Sequence, residues 1–269
     1  MNAVVRIGVS GWRYPPWRGH FYPEGLPQRR ELEFISRQFP TAEINGTFYG
    51  LQRPQSYEGW AAQTPPGFVF AVKAVRYITH ERRLRDVEAA LVNFFASGVF
   101  SLGDKLGPIL WQLPPSLAFD AALLADFCAL LPGQSPSGHR LRHAMEVRHA
   151  SFVDAAFIRL LRRHGIAWVV SDTPRPWPHF HDVTADFVYL RLHGASELYR
   201  SRYSGDQLDL WALRIRAWSE GREPPDARRI AADDPPAPMP RDVFCYFDNT
   251  DKRHAPDNAR DLMHRLAAG

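Results

Sequence analysis

Short apolar runs alternate with segments of helical spacing along nearly the whole of this chain. The runs fall at residues 4–9, 41–45, 68–72, 106–110, 144–149, 167–170, 187–193 and 243–247. Apolar residues recur at helical intervals in 31–39, 55–63, 86–100, 121–131, 151–164, 207–219 and 255–267. Strands alternating with helices predict parallel pairing. The length, 269 residues, is close to the roughly 250 of a TIM (β/α)8 barrel. An open doubly wound sheet is the competing α/β arrangement. It would carry a glycine fingerprint after the first strand, and Gly8, Gly11 and Gly19 lack that spacing. The chain is therefore read as a single TIM-barrel domain over residues 1–269. The proline-rich run 173–178 carries little helical signal, so the sixth crossover helix is expected to be incomplete. Residues 221–240 are polar and proline-rich and are read as a flexible excursion. The helix at 151–164 has Ser151 as its candidate cap, Asp154 in its first turn and Gly165 past its end.

Side chains on a strand alternate between two faces. In Ala144-Met145-Glu146-Val147-Arg148-His149 the charged Glu146 and Arg148 share one face, and Met145 and Val147 share the other. A parallel sheet covered by helices leaves no solvated face for such a pair. Glu146 and Arg148 must pair with each other or with a ligand, because isolated buried charge is costly. The same pattern recurs at other strand ends: Glu43 and Asn45, Lys73, Asp172, Arg191 and His193, Asp248 and Asn249. In a barrel these groups would face the axis at the C-terminal mouth, where the active sites of this fold sit. Each has a plainer reading as a local ion pair, cap or solvated strand end. Their convergence favours one polar pocket, the default site for a small ligand.

Glu43, Glu146, Asp172 and His193 are the candidate catalytic groups, because carboxylates across a barrel mouth can act as acid and base. The same oxygens with His193 form a donor set compatible with a divalent metal, although no HExxH motif or local ligand spacing assigns one. Lys73, Arg148 and Arg191 suit an anionic group on the substrate, or neutralise the carboxylates. Trp12, Tyr14 and Tyr49, on aromatic loops with Trp17 and Phe48, suit stacking on a sugar ring, with Asn45 and Asn249 as hydrogen-bonding groups. Trp17 is expected to pack rather than bind. His80, His149 and His254 are read as loop or supporting residues.

The expected function is that of an enzyme acting on a small polar, sugar-like or phosphorylated molecule by acid–base chemistry. A metal-dependent phosphodiesterase or endonuclease-like hydrolase and a non-catalytic ligand-binding protein are the alternatives. There is no Walker or GxSxG sequence. Lys plus Arg exceed Asp plus Glu by 33 to 29 without a basic cluster, so nucleic acid stays open as a partner but is not indicated. No apolar stretch approaches a membrane span, and residues 1–9 do not resemble a secretory leader. Two cysteines, Cys128 and Cys245, in apolar contexts suggest reduced thiols and a cytoplasmic protein.

The chain resembles the YecE-like proteins, the "domain of unknown function 72" family. The resemblance rests on Gly8-Val9-Ser10-Gly11-Trp12-Arg13-Tyr14 with Trp17 and Phe21-Tyr22-Pro23, and on Glu43-Ile44-Asn45-Gly46-Thr47-Phe48-Tyr49. It continues through Lys73 with Ile78-Thr79-His80, Leu106-Gly107-Pro108 with Gln112-Leu113-Pro114-Pro115, and Glu146-Val147-Arg148-His149. It ends in Arg191-Leu192-His193-Gly194 and Tyr246-Phe247-Asp248-Asn249 with His254-Ala255. Gly46 stands where the family pattern has a serine, and Val9 where it has a threonine or cysteine. The resemblance implies a TIM barrel and only a loose, fold-level link to sugar isomerases.

Overall fold

Eight parallel strands close into a barrel in sequence order. They are β1 (Val5–Ser10), β2 (Thr41–Ile44), β3 (Val69–Lys73), β4 (Leu106–Gln112), β5 (His143–Glu146), β6 (Ala167–Asp172), β7 (Phe187–Leu192) and β8 (Asp242–Phe247). The computed structural model describes residues 3–249 and 253–268. The helices are α1 (Glu31–Ser36), α2 (Gly46–Tyr49), α3 (Pro54–Ala62), α4 (Glu88–Ala96), α5 (Ala121–Leu130), α6 (Ala155–His164), α7 (Gly205–Ser219) and α8 (His254–Ala267). Among the described residues no helix is long and apolar enough to cross a membrane.

Strand parity sorts the side chains. Val9, Ala42, Val72, Trp111, Met145, Val170, Leu190 and Cys245 face outward into the layer between sheet and helices. Ala71, Leu110, Ala144, Val169, Tyr189, Phe244 and Tyr246 face inward and fill the barrel. Gly8 leaves no room for a side chain, since a Cβ there would meet the Thr41 carbonyl. The inner space beside it is occupied by Tyr246, whose hydroxyl lies 2.8 Å from Thr41 Oγ1. The free thiols of Cys128 and Cys245 are both buried, and burial pushes Cys128 up to about 12.

The element boundaries follow local chemistry. α5 starts where Asp120 accepts from the amides of Ala122 and Leu123, each at 3.1 Å. α7 starts at a reciprocal capping box between Ser204 and Gln207. α4 is shorter than the helical pattern at 86–100. Gly98, at φ 114°, breaks it, and a 3-10 run follows over Val99–Lys105. Phe48 and Tyr49 lie on the short α2 rather than on a loop. The cap of α6 is Asp154, which accepts from Ala156 N at 2.7 Å, and not Ser151. Ser151 Oγ instead accepts from Phe119 N at 2.8 Å and lies 2.8 Å from His149 Nδ1, tying two loops together. Asp154→Ala should therefore lower stability by about 1 kcal/mol in urea unfolding. An equal loss from Ser151→Ala, with Asp154→Ala neutral, would reverse that assignment.

No helix joins β6 to β7, as the weak pattern after Asp172 implies. A parallel sheet still needs cover on its outer face. The excursion at 221–240 supplies it, packing Ala231 into the core beside partly buried Ile230. His181 N donates to Arg228 O at 2.7 Å, and the Asp182 carboxylate accepts from Ile230 N at 2.7 Å and Ala231 N at 3.0 Å. The stretch read as flexible is thus fastened to the crossover whose helix is missing.

Candidate functional site

Each strand sends one inward side chain to its C-terminal end. In barrel order these are Ser10, Glu43, Lys73, Gln112, Glu146, Ser171, Arg191 and, just past β8, Asp248. They form a polar layer on top of the apolar barrel interior. Arg191, 1% exposed, is its hub. Its guanidinium donates to Glu43 at 3.1 and 2.9 Å, to Glu146 at 2.6 Å, to Asp248 at 3.0 Å and to Ser10 Oγ at 3.2 Å. Glu43 also accepts from the Ser10 hydroxyl and from Tyr189 OH, the latter at 2.6 Å. Arg148 donates to Glu146 at 2.7 Å and to Gln112 Oε1 at 3.1 Å, and its guanidinium lies 3.9 Å over the Trp177 ring.

Charge pairing outweighs desolvation here. Burial alone pushes Glu146 up, but Arg148 and Arg191 hold it well below the usual carboxylate range. Burial likewise opposes ionisation of Asp248, and Arg191 with His193 brings it down to about 2. His193 lies 2.8 Å from Asp248 Oδ2 through Nδ1, and its Nε2 is 3.6 Å from Glu146. That Nε2 is buried without a hydrogen-bond partner, as is Ser171 Oγ.

Above the hub opens a cavity of about 800 Å³. Arg191 and Asp248 reach its floor, and Lys73, Gln112 and Tyr199 its inner wall. The loop after β1 contributes Trp12 and Tyr14. The Tyr14 hydroxyl donates to Ser10 O at 2.6 Å, and Trp12 meets Trp60 edge-on at 5.9 Å. Trp17 is fully buried, a packing residue. Asn45 donates to Ser10 Oγ at 2.8 Å and keeps a buried Oδ1 without a partner. Tyr49 is 76% exposed at the rim. The opposite wall is α3 and the turn before it, with Gln52, Gln55, Ser56, Gly59 and Gln63 on one face.

The candidates read from the sequence thus divide. Trp12, Tyr14, Asn45, Tyr49, Lys73 and Arg191 line the cavity. Glu43 and Glu146 lie beneath it, saturated by arginines. Arg148 and His193 sit beside it under Trp177 and Tyr199, whose rings meet the His193 ring at 6.0 and 5.5 Å. Two candidates face elsewhere. Asp172 pairs in register with outward Leu192 and accepts from Trp211 Nε1 of α7 at 3.4 Å. Asn249 donates to Ser201 O at 2.9 Å and Asn258 Oδ1 at 3.0 Å, holding the β7–α7 loop to α8. Their neighbours Ser171 and Asp248 have the inward parity. Parity counted from Arg191 and Tyr246 finds both of them, and it finds Ser10 and Gln112 too. Among the described residues no three His, Cys, Asp or Glu side chains are grouped to hold a metal ion.

Residues 6–269 match the family model "Protein of unknown function DUF72". The chain is 23% identical to the UPF0759 protein YunF of Bacillus subtilis, over 98% of this chain and 95% of that one. It is 24% identical to the UPF0759 protein YecE of Escherichia coli, over 82% and 84% of the two chains. The crystal structure of a DUF72 family protein from Thermotoga maritima superposes with a TM-score of 0.78 at 25% identity, over 98% of this chain and 99% of that one. A DUF72 family protein from Enterococcus faecalis, 16% identical, shares the fold with a TM-score of 0.75, over 98% and 96% of the two chains.

Proposed function

This chain belongs to the DUF72 family, and we propose that it is an enzyme that binds a small polyhydroxylated, sugar-like molecule in its barrel mouth and moves protons on it. The observation that carries the reading is the composition of the cavity wall. Asn45, Gln52, Gln55, Gln63 and Gln112 present neutral carboxamides. Each can donate and accept, as paired sugar hydroxyls require. Trp12 and Trp60 add apolar ring surface in the same wall. A phosphorylated substrate would call for uncommitted guanidinium forks. Arg191 and Arg148 are already spent on Glu43, Glu146 and Asp248, which leaves exposed Arg13 as the guanidinium of the cavity lining open to an anionic group. The five carboxamides outweigh it, so the neutral sugar is favoured.

Proton transfer falls to groups that can change protonation near neutrality. Glu146 and Asp248 are held ionised and act as supports for Arg191. Lys73 lines the cavity, and burial, assisted by Arg191, lowers it to about 8. It can therefore serve as a base in its neutral form. A metal-dependent hydrolase has less support, because the oxygens of the three carboxylates already accept from Arg191.

The test is a titration of neutral sugars, sugar alcohols and their phosphate esters, followed by tryptophan fluorescence and turnover. Neutral sugars should quench Trp12 and Trp60. Lys73→Met should bind them within a few-fold of wild type while losing on the order of 10²-fold or more in turnover. Wild-type kcat/KM should rise with pH, be half-maximal near 8 and level off above it, since a base works only after losing its proton. Binding of phosphate esters alone would overturn the sugar reading, and binding without turnover would leave a ligand-binding protein.

A further inference from the structure

Lysine is scarce in this chain: of 33 Lys and Arg residues, three are lysines, Lys73, Lys105 and Lys252. Lys252 lies outside the described residues. Lys105 has a structural task, its Nζ donating to Ala61 O at 2.6 Å, Thr64 O at 2.6 Å and Thr64 Oγ1 at 3.0 Å beyond the end of α3. Lys73 differs. Among the described residues its Nζ has no carboxylate within ion-pair distance and no hydrogen-bond acceptor. It sits 4.1 Å over the face of Phe48 and lines the cavity.

A site that needed only positive charge could use arginine, the cation this chain employs almost everywhere else. Arginine does not deprotonate in proteins and does not add to carbonyl carbon. Lysine does both, and desolvation beside a second cation is the usual way of activating it. That environment is present. Burial and the neighbouring Arg191 lower Lys73 to about 8. His80, 5.0 Å from Phe48 on the ring's edge, is itself held at about 4 by burial and by Lys73, so it adds no competing charge at neutrality. The Phe48 face that attracts an ammonium would equally attract a cationic nitrogen after reaction.

We propose that Lys73 forms a protonated imine with the carbonyl carbon of an open-chain aldose or ketose, or of a related small aldehyde or ketone, bound in the mouth. This inference rests on the sugar reading of the same cavity and specifies the form of the sugar that reacts. The neutral Nζ attacks the carbonyl carbon, and the C=O π pair moves to oxygen. That oxygen takes up the proton shed by nitrogen, giving a carbinolamine. The nitrogen lone pair then forms C=N as the hydroxyl leaves as water, with one proton taken from solvent. The sum is amine, carbonyl and proton going to protonated imine and water, with no change of oxidation state. The cationic imine withdraws electrons from the adjacent carbon, which both isomerisation and carbon–carbon cleavage require.

Trapping tests this directly. The full chain is incubated with glyceraldehyde or dihydroxyacetone and sodium cyanoborohydride, then mapped by peptide mass spectrometry. The expected result is one reduced adduct, saturating with probe concentration, on Lys73. It should form on the order of tenfold or more faster than at a lysine of ordinary proton affinity, because a lower proton affinity leaves more neutral amine. The terminal amine titrates in the same range, and it is told apart by an adduct that neither saturates nor is protected by sorbitol. Lys73→Arg should lose it, and sorbitol should protect against it. Adducts spread evenly over the amines, or none at Lys73, would overturn the inference, and the wild-type map decides this even if the variant does not fold. Quenching by sorbitol without an adduct at Lys73 would remove the imine and leave the sugar reading standing. Saturable trapping on Lys73 that no sugar or polyol prevents would do the reverse.

Discussion

Arg191→Met should leave the protein largely unfolded at neutral pH and partly restored by acid. Three carboxylates within 3.1 Å of one guanidinium would lose it together. Breaking one buried pair by removing a partner costs roughly 3–5 kcal/mol. Whole-domain stability is about 5–15 kcal/mol, so a three-way loss approaches the total. The pH response should invert. In the wild type, Glu146 and Asp248 titrate lower when folded than when unfolded. Their contribution is therefore present above the unfolded value near 4 and disappears as pH falls toward about 2, where Asp248 takes its proton. Without Arg191, burial at Asp248 is opposed only by His193 and Lys73 and raises its folded value, while Arg148 still holds Glu146 down. The variant should then gain stability as pH falls toward the carboxylate range, while the wild type only loses it. Urea unfolding at pH 7, near pH 4.5 and near pH 3 reads both signs, the wild-type loss appearing only at the lowest of these. A variant that melts within a few degrees of wild type at pH 7 would show that Arg191 is not a structural hub.

Glu146→Gln should cost roughly 3–5 kcal/mol and change ligand affinity little. Two guanidiniums use this carboxylate, Arg191 at 2.6 Å and Arg148 at 2.7 Å, yet its side chain does not line the cavity. Arg148→Met should cost less, roughly 1.5–3 kcal/mol, the range of a hydrogen bond to a charged group. Glu146 keeps Arg191 in that variant. The double variant should lose less than the two single losses added, with a coupling of about 1–3 kcal/mol in a thermal cycle. If Glu146→Gln instead keeps its melting temperature and loses ligand or turnover, Glu146 belongs to the chemistry rather than to its foundation.

Much of this arrangement is legible in the sequence because a barrel strand has only two faces. Glu43, Glu146 and Arg191 declare themselves as charges between outward apolar neighbours, and all three lie in one layer. Asp172 misleads because charge attracts notice before parity does. Ser171 is the residue in register with Arg191, and it is small and uncharged. Asn249 misleads in the same way beside Asp248. The α3 wall is not legible, since a helix polar on several sides gives no clue to which side meets the mouth. The fastening of 221–240 is equally hidden. It consists of backbone amides donating to Asp182, a contact between residues 48 and 49 positions apart that no local pattern encodes.

The hub also sets an order of events. Its acceptors lie 45 positions from Arg191 at Glu146, 57 at Asp248, 148 at Glu43 and 181 at Ser10. A fragment holding β1–β4 has Glu43 without its cation, and one holding β5–β8 has Arg191 without Glu43. Neither half can dehydrate its polar layer at low cost, so half-barrels of this chain are poor folding units. Drying of the layer and closure of the ring become the same late step, delayed by the loop entropy of distant partners. Contacts formed after the main barrier act chiefly on the rate of opening. In kinetic terms Arg191 is a latch: weakening it should steepen the escape from the native state while leaving the rate of collapse nearly as it was.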